Sequence, residues 1–287
     1  MHLTKHHGLG NDFLVSLVDD VPTNGAAMAR VWCHRRTGIG ADGLIFGSPA
    51  VDADLVMTLF NADGSEAEIS GNGVRCLAQA VAAARHCDEL DLMIATGGGH
   101  RRIEVRPTGR RGHVQVAVDM GPVTDGPDLP SPADLARPGF RISRAGTADV
   151  GNPHVVLELE GAGEPEPGFD GPAIEALFKP TGINVHFLRL TGDDEITLTH
   201  WERGAGVTQA CGSGATASAT LAHRWGLVGP DVAVCMPGGR ADVHVGDTAT
   251  LIGPAVLIAH IDADAAGPDA AGPDAPPGSG RGGDGHG

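Results

Sequence analysis

Residues 70–86 read SGNGVRCLAQAVAAARH, and residues 211–225 read CGSGATASATLAHRW. Each begins with a small polar residue and a glycine pair, then continues as a run that is apolar or small on every side. Helices of that composition, expected here over Gly73–His86 and Gly214–Trp225, have no face to give to water and must be enclosed by other structure. The two signatures lie 141 residues apart, from 70 to 211, and other look-alikes share that offset. Gly10-Asn11 matches Gly151-Asn152, Asn61 matches Glu202, and Gly43 matches Asn184. Four polar landmarks on one spacing point to a duplicated chain with one enclosed helix in each half.

Outside these helices, short β-like runs alternate with turn residues. They fall at Phe13–Leu17, Leu55–Phe60, Leu90–Ile94, His113–Met120, Val155–Leu159, Ile183–Leu190, Glu195–Trp201, Val232–Met236 and Ala255–Ile261. That rhythm predicts antiparallel sheets rather than βαβ repeats. Gly25–Arg36 is amphipathic and predicts a third helix, while Gly161–Pro172 (GAGEPEPGFDGP) predicts a surface loop. The expected fold class is α+β, with two pseudo-symmetric domains. Each is a curved, barrel-like antiparallel or mixed sheet around a central helix. The first domain is expected over 1–120, rejoined by a returning strand at 255–262, and the second over 121–254. From Ala263 onward the chain is Gly, Pro, Ala and Asp with nothing to bury, and is expected to be disordered.

The 287 residues carry 20 Lys plus Arg against 36 Asp plus Glu, a net charge of −16. Such a surface repels phosphate backbones and argues against nucleic acid as a partner. No apolar run is long enough to span a bilayer, so no membrane partner is expected. The opening MHLTKHHGLGND lacks the apolar region of a secretory signal. Five cysteines without metal-type spacing read as reduced thiols of a cytoplasmic protein. With lysine only at Lys5 and Lys179, a Schiff-base enzyme has few candidates. Gly38–Gly43 (GIGADG) matches the dinucleotide GxGxxG pattern, but a helix-like run precedes it and the strand-like Leu44–Phe46 follows. That is the reverse of the required order, so it reads as a turn. Fourteen histidines include His6-His7 but no HExxH or Cys/His cluster. No metal, nicotinamide or pyridoxal cofactor is expected.

The chemistry is sought at the helix openings. A helix N-terminus presents unsatisfied N–H groups and a partial positive charge, and glycines let a carboxylate approach them. A cysteine there has its thiolate favoured, so Cys211 is expected to be the reactive thiol of the chain. Cys33, Cys76, Cys87 and Cys235 read as packing thiols.

Six segments resemble the diaminopimelate epimerase family: HGLGNDF at His7–Phe13, RRTGIGADGL at Arg35–Leu44, FNADGSEAEISGNGVRC at Phe60–Cys76, GNPH at Gly151–His154, NVHF at Asn184–Phe187 and WERGAGVTQACGSGA at Trp201–Ala215. The resemblance implies a homodimeric, cofactor-independent enzyme acting on a small diamino-dicarboxylate and interconverting LL- and meso-2,6-diaminopimelate. It implies two cysteines on opposite sides of the substrate α-carbon, one abstracting the proton while the other donates. Carried over by motif, Asn11, Asn61, Asn152, Asn184, Glu202 and Arg203 hold the substrate's carboxylates and ammonium groups. Backbone N–H groups at Gly71-Asn72 and Gly212-Ser213 cradle the reacting carboxylate, and His154 and Glu202 adjust the thiol acidities.

The chain departs from the family at two positions. Ser70 stands where the first catalytic cysteine belongs, and Val207 where the family usually carries glutamate. A hydroxyl is far less acidic than a thiol, and a helix dipole does not ionise it at neutral pH. Three origins are open for Ser70: a substitution made to trap substrate, a natural change that alters or weakens activity, or a degenerate copy. Two rival readings accompany the epimerase, namely a one-base lyase or isomerase of the same fold and an amino-acid-binding module without turnover.

Overall fold

The computed structural model describes residues 1–67 and 70–264, so the tail expected to be disordered lies, from Ala265 on, outside the described residues. The first half runs β1 (His2–Gly8), β2 (Asn11–Leu17), α1 (Gly25–Trp32), β3 (Gly43–Ser48), β4 (Leu55–Asn61), β5 (Glu66–Ala67), α2 (Gly71–Ala84), β6 (Leu90–Thr96), β7 (Gly99–Pro107) and β8 (His113–Gly121). The second runs β9 (Thr124–Asp125), α3 (Pro132–Leu135), β10 (Arg141–Asp149), β11 (Pro153–Glu160), α4 (Pro167–Glu175), β12 (Asn184–Gly192), β13 (Glu195–Trp201), α5 (Gly212–Arg224), β14 (Asp231–Met236), β15 (Gly239–Val245) and β16 (Ala249–Asp262). Shifted by 141, β1 to β4 fall on β10 to β13, β6 and β7 on β14 and β15, and α1 and α2 on α4 and α5. The duplication therefore runs through whole elements, including β1, β7, β10 and β15, which the local pattern had not marked.

Strands β1-β2-β3-β4-β6-β7-β8-β16 form an eight-stranded barrel that closes where β16 pairs with β1, from His2↔Asp262 to His7↔Val256. In the other half the order is β16-β15-β14-β13-β12-β11-β10-β9. The 14-residue β16 pairs with β15 and β8 in its first part and with β1 in its second, so the passage between halves falls inside one strand. The exchange is reciprocal, because β9, just after β8, pairs with β10 at Asp125↔Ala148 and Thr124↔Asp149.

The sheets are mixed, as the expected fold class allowed, and only the purely antiparallel reading of the turn rhythm is corrected. Pairs β2–β3, β4–β6, β11–β12 and β13–β14 are parallel, and each spans one of α1, α2, α4 and α5. These are βαβ crossovers, the connection the turn rhythm had excluded. The reason is burial on both faces: all six residues of β3 are buried, as befits a strand covered on both sides. Enclosure of the central helices is nearly complete, with Gly71–Ala82 and Gly212–Ala222 buried.

Two local expectations change. Part of the loop expected at Gly161–Pro172 is helical, because α4 starts at Pro167, a residue suited to the first helical turn. Asp170 closes its start by accepting from the Glu166 N–H at 2.8 Å, and Ile174 is buried. The amphipathic helix expected to reach Arg36 stops at Trp32. The N–H groups of Ile39 and Gly40 donate to Trp32 O at 2.8 and 2.9 Å, so the GIGADG stretch closes α1 and leads into β3.

Helices α2 and α5 start at Gly71 and Gly212, two residues earlier than expected, which places Ser70 and Cys211 at their N-caps. The helix ends meet closely: a Cβ on Gly212 would stand 3.1 Å from Gly71 Cα, and one on either glycine 2.9 Å from Leu251 Cδ2. Only residues without a side chain permit this approach. Leu251, fully buried beneath both, props the two ends. Leu251→Ala is expected to lower stability by about 2–5 kcal/mol, read by urea unfolding. A loss below about 1 kcal/mol would show that the helix ends hold their spacing without it.

Candidate functional site

Ser70 and Cys211 cap their helices in the same way. Both backbones are extended (φ −140, ψ 116 and φ −123, ψ 109), and each side chain accepts one N–H from the first turn. Gly73 N–H donates to Ser70 Oγ at 3.1 Å, and Gly214 N–H to Cys211 Sγ at 3.3 Å. One cap satisfies only part of a first turn that has four orphan donors. Gly71, Asn72, Gly212 and Ser213 all line a cleft of about 850 Å³ between the halves. Two helix N-termini thus converge on one space, an arrangement suited to a carboxylate.

The cleft also brings together Asn11, Asn61, Asn152, Asn184, Glu202, Arg203, Ser70 and Cys211. Asn72 ties the halves, its Nδ2 donating to Asn11 Oδ1 at 3.0 Å and to Ala210 O at 2.8 Å. Asn11 donates to Asp42 at 2.7 Å, and Asn61 to Ser65 at 3.0 Å. Asn184 braces its neighbour: its Oδ1 accepts from Arg203 N–H at 3.0 Å and its Nδ2 donates to Pro153 O at 3.0 Å. Arg203 is exposed at the mouth with one guanidinium N–H on Thr181 O at 2.8 Å, leaving further donors for a bidentate carboxylate. Val207, 57% exposed, sits on the rim. His154 stands apart from the cleft lining, fully buried behind Asn152, whose Oδ1 it meets at 2.9 Å.

Sequence reasoning passed over several polar residues around the cleft. Arg35 bridges Asp12 at 2.7 Å and Asp42 at 2.6 Å, with Lys5 also on Asp12 at 3.0 Å. Burial alone would raise Asp12, but hydrogen bonds from Arg35 and Lys5 outweigh it and hold the carboxyl below its usual range. Thr208 donates to Glu202, and His200 Nε2 lies 2.8 Å from the same hydroxyl. His186 Nε2 lies 2.9 Å from His154 Nδ1. The signal that could have found His186 and His200, beside the His154 already named, is the offset itself. His154, His186 and His200 stand 141 residues after Phe13, Ile45 and Leu59, which are all buried core.

Electrostatics work against the thiolate that the helix end favours. Burial pushes the Cys211 thiol well above its ordinary range, and the adjacent Glu202 carboxylate pushes it further. The Gly214 N–H and Ser213 oppose that shift without reversing it. Glu202 is itself raised by burial, while hydrogen bonds from Thr208 and Cys211 partly counter the rise. The resting Cys211 is therefore a thiol, with Glu202 its neighbouring acid. Cys33 and Cys76 are pushed up to about 12 by burial.

Four histidines are held neutral by burial: His154 is lowered to about 3, His200 and His6 to about 4, and His186 well below its ordinary value. In the unfolded chain each protonates near pH 6.5. Their neutral burial is therefore without acid penalty above pH 6.5, and stability is lost as pH falls from there toward the folded values. Each contributes up to about 1.4 kcal/mol per pH unit in that window. Urea midpoints are expected to drop steeply between pH 6.5 and 4, and a flat profile would rule out neutral burial of the cluster.

The diaminopimelate epimerase family model matches residues 3–125 and 146–258. The diaminopimelate epimerase of Stutzerimonas stutzeri (strain A1501) is 36% identical over 272 residues, covering 90% of this chain and 97% of the relative. That of Erythrobacter litoralis (strain HTCC2594) is 40% identical over 264 residues, covering 88% and 93%. Among solved structures, a predicted epimerase from Pseudomonas aeruginosa superposes with a TM-score of 0.74 at 18% identity, over 91% of this chain and 98% of the other. That last likeness speaks to fold alone.

Proposed function

The chain belongs to the diaminopimelate epimerase family, and from that premise we propose that it moves the α-proton of 2,6-diaminopimelate between its LL and meso forms without a cofactor, slowly in the two-sided reaction. The observation that carries this is the pair of matching N-caps, Ser70 and Cys211, on two helices whose first glycines touch at the base of one cleft.

The reaction follows from those positions. Glu202 receives the Cys211 thiol proton, and the thiolate takes the substrate Cα–H proton. The electron pair of that C–H bond spreads into the substrate carboxylate. N–H groups of Gly71-Asn72 and Gly212-Ser213 are preorganised where that charge develops. A proton returned from Cys211 regenerates the same isomer, whereas a proton delivered from the Ser70 side inverts the centre. Arg203 takes the distal carboxylate, and the helix ends and Arg203 supply the local attraction that a chain of net charge −16 does not.

A specific asymmetry supports one-base chemistry as the second reading. Cys211, Glu202, Thr208, His154, His186 and His200 occupy one half. Their counterparts at the 141 offset are Ser70, Asn61, Ala67, Phe13, Ile45 and Leu59, none of which titrates near neutral pH. Incubation with diaminopimelate in deuterated solvent separates the readings. Epimerisation gives deuterium with inversion and one-sided exchange gives deuterium with retention; a lyase is read separately with a β-substituted amino acid, whose β-substituent departs to leave a keto acid and ammonia. Neither deuterium nor product would leave only a binding module. An electrophilic diaminopimelate analogue is expected to label Cys211, and labelling of Cys33 or Cys235 with Cys211 untouched would overturn its role.

A further inference from the structure

We infer that His154, His186 and His200 form a buried positioning device that fixes which atoms of Glu202 and Asn152 face the cleft. The observation is a directional hydrogen-bond pattern on adjacent strands. His186 and His200 are direct cross-strand partners on β12 and β13, and His154 on β11 lies beside them. The ring centroids of His154 and His186 are 5.0 Å apart, and those of His186 and His200 are 5.8 Å apart. In the first half the same registers hold the cross-strand pair Ile45↔Leu59, with Phe13 beside them. Apolar residues thus satisfy the fold at these places, and the imidazoles require another explanation.

Proton bookkeeping fixes the tautomers. A threonine hydroxyl has one proton, and that of Thr208 goes to Glu202 Oε1. Thr208 must then accept from His200 at the 2.8 Å contact, so His200 carries its proton on Nε2. With Asn152 Oδ1 toward His154 Nε2 at 2.9 Å, His154 donates there and accepts at Nδ1 from His186 Nε2. All three rings are then Nε2–H tautomers. The nitrogens left without a partner among the described residues, Nδ1 of His186 and of His200, are bare acceptors. The opposite choice for the His154–His186 pair would bury an unpaired N–H on His186 Nδ1, the rarer and costlier defect.

The consequences reach both sides of the site. His200 turns the Thr208 proton onto Glu202, which favours the ionised carboxylate against the rise that burial imposes and so its readiness for the Cys211 proton. His186 and His154 hold Asn152 so that its NH2 group is turned away from the histidines and available to a ligand carboxylate. Close packing preserves the arrangement, since a Cβ on Gly214 would stand 2.0 Å from the His186 ring. The charged and titratable groups facing the network are Arg203 toward His154, the three histidines toward one another, and Asp42 and Cys211 toward Glu202.

The role at Glu202 deepens the proton-transfer reading, so one arm of the test needs no substrate. Long-range nitrogen–proton NMR of the intact protein is expected to show His154, His186 and His200 as neutral Nε2–H tautomers that do not titrate between pH 8 and 5. An Nδ1–H tautomer at any of the three overturns the proposal, whatever the substrate proves to be. In the second arm, His200→Leu is expected to cut α-proton exchange about tenfold through kcat, with KM little changed, and to move the acid limb to higher pH. His200→Gln, whose amide can still donate to Thr208, is expected to recover most of the rate and the original limb. Equal loss in both variants with an unmoved pH profile marks a purely structural histidine and overturns the positioning role.

Discussion

Ser70→Cys is expected to raise two-sided epimerisation of diaminopimelate by about 10²–10⁴-fold, the range that one positioned acid or base contributes. Ser70 caps α2 with nearly the backbone geometry that Cys211 uses on α5. A cysteine at 70 would therefore need no rearrangement to face the cleft. The gain must appear equally in the LL-to-meso and meso-to-LL directions. A group that donates in one direction abstracts in the other, and the equilibrium constant belongs to the substrates. Initial rates from each isomer, followed by chiral chromatography, measure it. A serine form that is already fast, with no change on Ser70→Cys, would remove the two-base reading of this chain.

Cys211→Ser carries the second large effect. Of the two cysteines that line the cleft, Cys33 closes the C-terminal end of α1 and Cys211 stands at the N-cap of α5, and one-sided exchange of the α-proton is expected to depend on Cys211. By resemblance to the family, the isomer that presents its proton to this side is the meso form, at its D centre. Exchange from that isomer is expected to fall by at least about 10³-fold, because a hydroxyl beside Glu202 is a far poorer proton carrier than a thiol. The fold is expected to survive, since Ser70 already demonstrates a serine serving as the N-cap of an enclosed helix. Thermal unfolding would check that point alongside mass-spectrometric deuterium uptake. Retained exchange in Cys211→Ser would move the base elsewhere, with Glu202 the next residue to vary.

Much of the architecture was legible because duplication repeats landmarks. The offset linking Ser70 to Cys211 and Asn61 to Glu202 required two equivalent halves, and the enclosed helices followed from runs such as LAQAVAAA, which have no polar face. The residues carried over from the family segments, His154 aside, all line the cleft. Alternation did not reveal strands such as β3, since a strand buried on both faces carries no period of two. Helix α4 escaped notice because Pro, Gly and Asp dominate it. It is held by a proline start, the Asp170 contact and the burial of Ile174, not by propensity.

The sequence by itself determined the duplication, the two helix openings, and the residue types available at each, including a hydroxyl where its counterpart is a thiol. Tertiary structure decided how those residues behave. The touching of Gly71 and Gly212 over Leu251 sets the spacing between the two caps. The same enclosure keeps Cys211 a thiol, because burial and Glu202 outweigh a helix end that, read alone, favours thiolate. Three histidines far apart in the chain became one network only when β11, β12 and β13 aligned them. The physical reason is range: periodicity and composition are local, whereas desolvation, charge coupling and hydrogen-bond direction depend on neighbours that the chain brings together only by folding.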